Sequence, residues 1–93
     1  MKKLYYVKVF KALSDEMRFD ILQEIAKHDE ICVCKLKEKF DMAQSKLSYH
    51  LKLLLEANLI TVKPQGKWNF YSINKKEIQN ILSDDLIFFL TNK

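Results

Sequence analysis

Apolar residues return every three or four positions from the start of the chain to about residue 57, and beyond that the period shortens to strand-like alternation. Tyr6, Val9, Phe10 and Leu13 mark a first amphipathic helix over about residues 2–13. Ser14 stands as the N-cap of a second helix, with Asp15 and Glu16 in the first turn, where the dipole favours acids. Met17, Ile21, Leu22 and Ile25 form its buried stripe, and the polar run His28-Asp29-Glu30 ends it. A short third helix is expected from Cys32 to Phe40, with Val33, Leu36 and Phe40 turned inward. Asp41-Met42-Ala43 connects it tightly to a fourth, from Gln44 to about Ala57. That helix has the cleanest pattern, with Leu47, Leu51, Leu54 and Leu55 on one side and Ser45, Ser48, Tyr49 and Lys52 on the other.

LITVK at 59–63 and WNFYSI at 68–73 are β-branched and aromatic, the composition of two strands. Between them KPQGK places Pro64 for the second position of a turn and Gly66 for a left-handed residue, which predicts a hairpin loop. Asn74, with Glu77 three residues on, opens a last helix expected over about 75–90. Ile78, Ile81, Leu82, Leu86 and Phe89 form its stripe, and Ile87, Phe88 and Leu90 widen it until nearly every side is apolar. A helix of that kind needs more to pack against than one small domain offers, so it reads as a dimer interface.

Two short helices joined by a three-residue turn and followed by a hairpin describe a winged helix-turn-helix. The fold class is therefore mainly α, in the α+β sense, with about five helices and one β-hairpin wing in a single domain spanning 1–93. Composition agrees with one domain, since 93 residues, 48% of them hydrophobic, support one modest core. One Gly, one Pro and no low-complexity run leave no linker to divide it. The apolar stretch at the N-terminus is broken by Lys8 and Lys11 and lacks a cleavage site, which argues against a signal peptide. LIFFL at 86–90 is too short to span a bilayer, so no membrane partner is expected. Two cysteines at i and i+2 make a poor structural disulfide, and a reducing cytoplasm is the expected location.

The net charge of +4 leans toward polyanions and gains meaning from where the polar groups fall. The start of the fourth helix offers Gln44, Ser45, Lys46, Ser48 and Tyr49 to base edges: Gln pairs with adenine, Lys with guanine or phosphate. His50 and Lys52 are placed to reach the backbone, and the hairpin tip adds Lys63, Gln65 and Lys67 for phosphate or minor groove. Any one of these is ordinary for a solvated face, whereas the ordered set of helix pair, polar helix start and basic wing favours double-stranded DNA. Trp68, Phe70 and Tyr71 read as core aromatics rather than stacking groups.

Cys32 and Cys34, the only cysteines, bring a second chemistry. Paired thiolates suit soft ions such as zinc, cadmium, lead, or trivalent arsenic and antimony. A helix N-terminus, with Lys35 and Lys37 nearby, favours the deprotonated thiol. On a regular helix, however, residues i and i+2 point about 200° apart. One ion holds both sulfurs only where the first turn is irregular or unwinds, and unwinding would misplace the recognition helix. The plainer reading of Ile-Cys-Val-Cys is two small hydrophobes in a strand-like fragment. His28, Asp29 and Glu30 are close enough in sequence to complete a site.

With these segments in view, the chain resembles the ArsR/SmtB family of metal-responsive winged-helix repressors, from about Phe10 to Leu82. FKALSDEMRFDIL resembles the family's entry into its second helix, QSKLSYHLKLLLEANLI its recognition helix and QGKWNFYSI its wing. EICVCKL is similar to the Glu-Leu-Cys-Val-Cys-Asp-Leu box of the arsenic-sensing branch. The resemblance implies a homodimer through the terminal helices, here through Tyr6, Phe10, Ile81, Leu82, Phe88 and Phe89. It also implies a palindromic operator released when metalloid binds Cys32 and Cys34, with Gln44, Ser45, Ser48, Tyr49 and His50 on the DNA-reading helix. Three departures stand out. Lys37 occupies the place of the third cysteine that many arsenic sensors carry, and arsenic prefers three thiolates. The N-terminal cysteines of the cadmium/lead branch are missing. The last helix has Asp84 and Asp85 but no His, against the zinc branch.

The expectation is a cytoplasmic, homodimeric repressor whose DNA affinity falls when trivalent arsenic or antimony bridges the cysteines. Its alternatives are a family member sensing another soft metal or dithiol redox state, or a metal-blind module binding protein or RNA. No nucleophile–base pair, phosphate loop or paired carboxylates occur at useful spacing, so no enzyme and no catalytic cofactor are expected.

Overall fold

Local hydrogen bonds at Ser14 and Asp15 divide the first two helices. A computed structural model describes residues 2–81, with α1 over Lys2–Leu13 and α2 over Glu16–Ala26. Ser14 does not cap α2. Its hydroxyl donates back to the Lys11 carbonyl at 2.9 Å and closes α1, while Asp15, extended at φ −105°, accepts from the Arg18 amide at 2.9 Å. Asp is as good a cap as Ser, so the one-residue shift follows from which side chain faces the free amides.

The cysteine segment departs from the expected single helix. Ile31–Cys32 forms a two-residue strand, β1, and only from Val33 to Phe40 does α3 run. After a turn, α4 covers Gln44–Glu56, β2 Ile60–Gln65, β3 Trp68–Ile73 and α5 Lys75–Ile81. The wing is thus a three-stranded antiparallel sheet in the order β1-β3-β2, rather than a bare hairpin. Ile31 lies opposite Tyr71 and Cys32 opposite Phe70.

The hairpin is also tighter than expected. Pairing of β2 with β3 continues to Gln65 opposite Trp68, so Pro64 belongs to the strand, facing Asn69, and the turn is Gly66-Lys67. β2 is an edge strand, where a residue without an amide proton is tolerated. Gly66, at φ 62°, supplies the left-handed residue that the short turn demands.

Val9, Ile21, Leu22, Ile25, Leu36 and Leu47 are fully buried in one core shared by α1 to α4. On α1 the buried pair is Val9 and Ala12, whereas Tyr6 and Phe10 are 40% and 64% exposed. The predicted stripe therefore mixes two faces, and the outer one also carries Leu4 and Val7. Tyr5 joins α1 to α5, its hydroxyl donating to Glu77 Oε2 at 2.7 Å. Burial and that acidic partner push the phenol up to about 12. Asn74 Oδ1 accepts from the Glu77 amide at 3.4 Å, the start expected for the last helix. Leu82, Phe88 and Phe89 lie outside the described residues, as does the expected helix beyond Ile81.

Leu36 is the fully buried anchor of α3, and truncating it opens a cavity that its neighbours only partly refill. Leu36→Ala is expected to lower unfolding stability by about 2–5 kcal/mol, read as a shifted urea midpoint at unchanged slope. A shift below about 1 kcal/mol would mean that α3 is not held through this residue.

Candidate effector site and nucleic-acid interface

Cys32 belongs to two elements at once. Its backbone is extended, at φ −68° and ψ 141°, and pairs with Phe70, yet it is also the N-cap of α3. Its Sγ accepts from the Cys34 amide at 3.1 Å, filling a position that Ser or Asp usually fills. Because Cys32 sits before the helix, the i, i+2 argument for a regular helix fails here. The Cα atoms are 5.2 Å apart and the two sulfurs are in bonding contact as a disulfide. The irregular first turn thus brings both sulfurs to one point without unwinding α3.

The pair is asymmetric. Cys32 is 8% exposed and Cys34 is open to solvent, with a cleft beside each. Near Cys32 a hollow of about 450 Å³ is lined by Glu24, His28, Glu30 and Lys35. His28 is occupied there, its Nε2 3.3 Å from Glu24 Oε2. Burial raises the Glu24 carboxyl, but hydrogen bonds from His28 and Lys27 outweigh it and hold the group below its ordinary range. Among the described residues no three His, Cys, Asp or Glu side chains form a group that can hold a metal ion, so His28, Asp29 and Glu30 do not complete a site with the cysteines. Beside Cys34 a larger cleft of about 620 Å³ runs between α3 and the wing.

A three-residue turn carries α3 into α4. Asp41 adopts the left-handed conformation, at φ 47° and ψ 54°, and its amide donates to the Lys37 carbonyl at 2.9 Å, ending α3. On α4 the side chains of Gln44, Ser45, Lys46, Ser48, Tyr49 and Lys52 are exposed, and Leu47, Leu51 and Leu54 face the core. Lys63, Gln65 and Lys67 are exposed on the wing, Lys63 and Gln65 sharing one face of β2. Of the strand aromatics Tyr71 is core and Phe70 half-buried. Trp68 is 46% exposed, with Lys67 Nζ 5.7 Å from its ring centre, so the core assignment fails for this one residue.

His50 differs from the rest of the proposed DNA-reading set. It is 4% exposed and turned inward, its Nδ1 3.0 Å from a guanidinium nitrogen of Arg18. Arg18, itself 5% exposed, donates through Nε to the Ala12 carbonyl at 2.7 Å and through its other terminal nitrogen to the Lys11 carbonyl at 3.0 Å. One guanidinium therefore ties the end of α1, the body of α2 and the recognition helix together. Sequence reasoning missed Arg18, and its only signal was a cation beside the buried stripe.

Residues 15–62 match the profile described as bacterial regulatory protein, arsR family. The chain belongs to that family. Within it, the arsenical resistance operon repressor of Bacillus subtilis (strain 168) is 46% identical over 88 residues, 95% of this chain and 84% of the relative. The cadmium resistance transcriptional regulatory protein CadC homolog of Staphylococcus aureus is 31% identical, over 81% of this chain and 62% of that protein. Among solved structures, HlyU from Vibrio cholerae N16961 superposes with a TM-score of 0.77 at 25% identity, covering 99% of this chain and 97% of its own. As an ArsR-family member the chain is a DNA-binding transcriptional regulator with a winged helix-turn-helix. Among the described residues no helix is long and apolar enough to cross a membrane.

The burial of His50 against Arg18 gives a pH response. An Arg N–H donates to Nδ1, so the ring proton sits on Nε2, which meets no partner among the described residues. Burial first, then Arg18 and Lys46, disfavours the imidazolium, and Asp15 opposes them only in part, so the pKa falls below its ordinary value. A depressed His pKa means that the unfolded chain binds more protons between the folded and unfolded values. Stability is then fully present above about pH 6.5, and it declines as pH falls from there toward the folded value. Urea midpoints measured from pH 7.5 downward should bend near that point in the wild type and lose this bend in His50→Gln. Identical profiles for the two would contradict the assignment.

Proposed function

We propose that the chain is a homodimeric repressor that binds a double-stranded operator in the cytoplasm and releases it when trivalent arsenic or antimony bridges Cys32 and Cys34. The carrying observation is the convergence of both sulfurs on a helix cap that is also a sheet position. A pyramidal soft centre needs ligands on one side, and this junction supplies two without rebuilding α3. The helix N-terminus favours the thiolates that such a centre requires. The arsenical resistance repressor of Bacillus subtilis supports the choice of metalloid by its name.

Release follows from what Cys32 does before the ligand arrives. Coordination draws on the sulfur electron pairs, one of which accepts the Cys34 amide. The cap weakens, and the same residue's pairing with Phe70 shifts with it. Both arms of the DNA interface lie one element away, α4 through the Asp41 turn and the wing through β3. Gln44, Ser45, Lys46, Ser48 and Tyr49 then lose their setting toward base edges, and Lys52, Lys63, Gln65 and Lys67 lose theirs toward backbone. His50 serves from inside, holding α4 to Arg18. Dimerisation uses the exposed face of α1, where Leu4, Val7 and Phe10 are each more than half exposed, together with Tyr6, the α5 side near Ile81, and Leu82, Phe88 and Phe89.

The disulfide itself favours one second reading, in which oxidation rather than a metalloid is the input. Titrating labelled DNA from upstream of the chain's own gene, at fixed salt and under reductant, separates the two. Arsenite should weaken the wild type by about 10- to 100-fold and leave Cys32→Ser/Cys34→Ser unchanged. Arsenite without effect on the reduced protein, joined to release on oxidation, would replace the metalloid reading with the redox one.

A further inference from the structure

We infer that the cleft between α3 and the wing seats a low-molecular-weight thiol bearing carboxylate and ammonium groups, whose sulfur becomes the third ligand of the metalloid. The inference rests on the proposed reading of Cys32 and Cys34 and identifies what completes their site. Two thiolates leave a trivalent soft centre one ligand short. On the Cys32 side His28 is engaged with Glu24, and no third His, Cys, Asp or Glu joins the pair among the described residues. On the Cys34 side the residue one turn along the same helix face is Lys37, whose protonated amine is no donor to a metal. The third sulfur therefore comes from outside, and Cys34 is the open member of the pair.

The cleft that Cys34 lines has the form of a small-molecule site. Its volume of about 620 Å³ falls within the ordinary range for ligand pockets, and it has room for a tripeptide. Its polar groups have both signs: Lys37 from α3 and Lys67 from the wing turn, Glu38 and Asp41 from the end of α3. None of the four is ion-paired with another group among the described residues. Cations on two walls suit carboxylates, and the acidic end suits an α-ammonium, so the cleft matches an amino-acid or peptide thiol better than a neutral one. Trp68 adds an apolar wall.

The chemistry balances. Two molecules of the small thiol reduce the Cys32–Cys34 disulfide, giving two protein thiols and one small-molecule disulfide. Arsenous acid then exchanges its three As–O bonds for three As–S bonds, two to the protein and one to a further small thiol. The three hydroxyls leave with the three thiol protons as water. The seated thiol also reaches Gln44 and Lys67, which line the same cleft and are assigned to DNA. Effector and operator thus compete for those two side chains, a direct route to release beside the loss of the cap.

The test uses the reduced full chain, arsenite, and either glutathione or 2-mercaptoethanol at matched thiol concentration, read by native mass spectrometry and by arsenic–thiolate absorbance. The expected species is protein plus one arsenic plus one glutathione, with arsenite affinity about tenfold higher than in mercaptoethanol. Lys37→Glu should erase that tenfold preference while still binding arsenite in mercaptoethanol. Lys37→Cys should bind arsenite with no small thiol in the adduct. Equal wild-type affinity in both thiols, or an adduct lacking any thiol, overturns this inference and leaves the metalloid reading standing, provided that Lys37→Cys binds arsenite. No uptake by either protein in any thiol overturns both.

Discussion

The bond from the Cys34 amide to the Cys32 sulfur is small in energy, but the rest of the site depends on where it lies. It closes the first turn of α3, and the residue that accepts it is simultaneously the end of β1. A sheet edge and a helix start are normally separate features, each satisfied by its own residues. Here one side chain serves both, so a change in what its sulfur binds is felt by sheet and helix together. Sulfur is a weak acceptor, and that weakness suits the proposed release. A Ser or Asp cap would hold the junction more firmly and would offer no soft ligand.

Rigid parts surround this weak junction. Leu36 anchors α3 in the core, and Arg18 fastens α4 to α1 and α2 through His50 and two carbonyls. The recognition helix is therefore held from behind by a buried charge-assisted cluster and steered from the front by the short turn at Asp41. A buried Arg beside a buried His survives only because its donors are used, on carbonyls and on the neutral ring nitrogen. The arrangement gives α4 a fixed setting, against which the proposed disturbance at Cys32 would act.

Much of this was legible in the sequence, because helical period and turn chemistry are local. The four main helices, the two wing strands and the left-handed Gly66 lie where spacing and residue type put them. What escaped depends on partners distant in the chain. A two-residue strand has no period, so β1 emerges only through its pairing with Tyr71 and Phe70. The geometry of the cysteines changed with it, since an extended Cys32 brings together sulfurs that a helical one would part. Tyr6 and Phe10 fell in one stripe with the buried Val9 because period finds an apolar face without saying what covers it. His50 looked polar and outward until Arg18, 32 residues earlier, turned it inward. Pro64 suggested the turn itself, yet on an edge strand it fits two residues before it.

Amide hydrogen exchange on the reduced protein, with and without arsenite, tests most directly whether the cap at Cys32 is the coupling element. Coupling through the cap gives faster exchange at the Cys34 and Leu36 amides, at Phe70 in β3, and at Leu47, the first bonded amide of α4, with Ile21–Ile25 of α2 unchanged. Arsenite that binds and releases the operator while the Cys34 amide and the start of α4 keep their protection would contradict it.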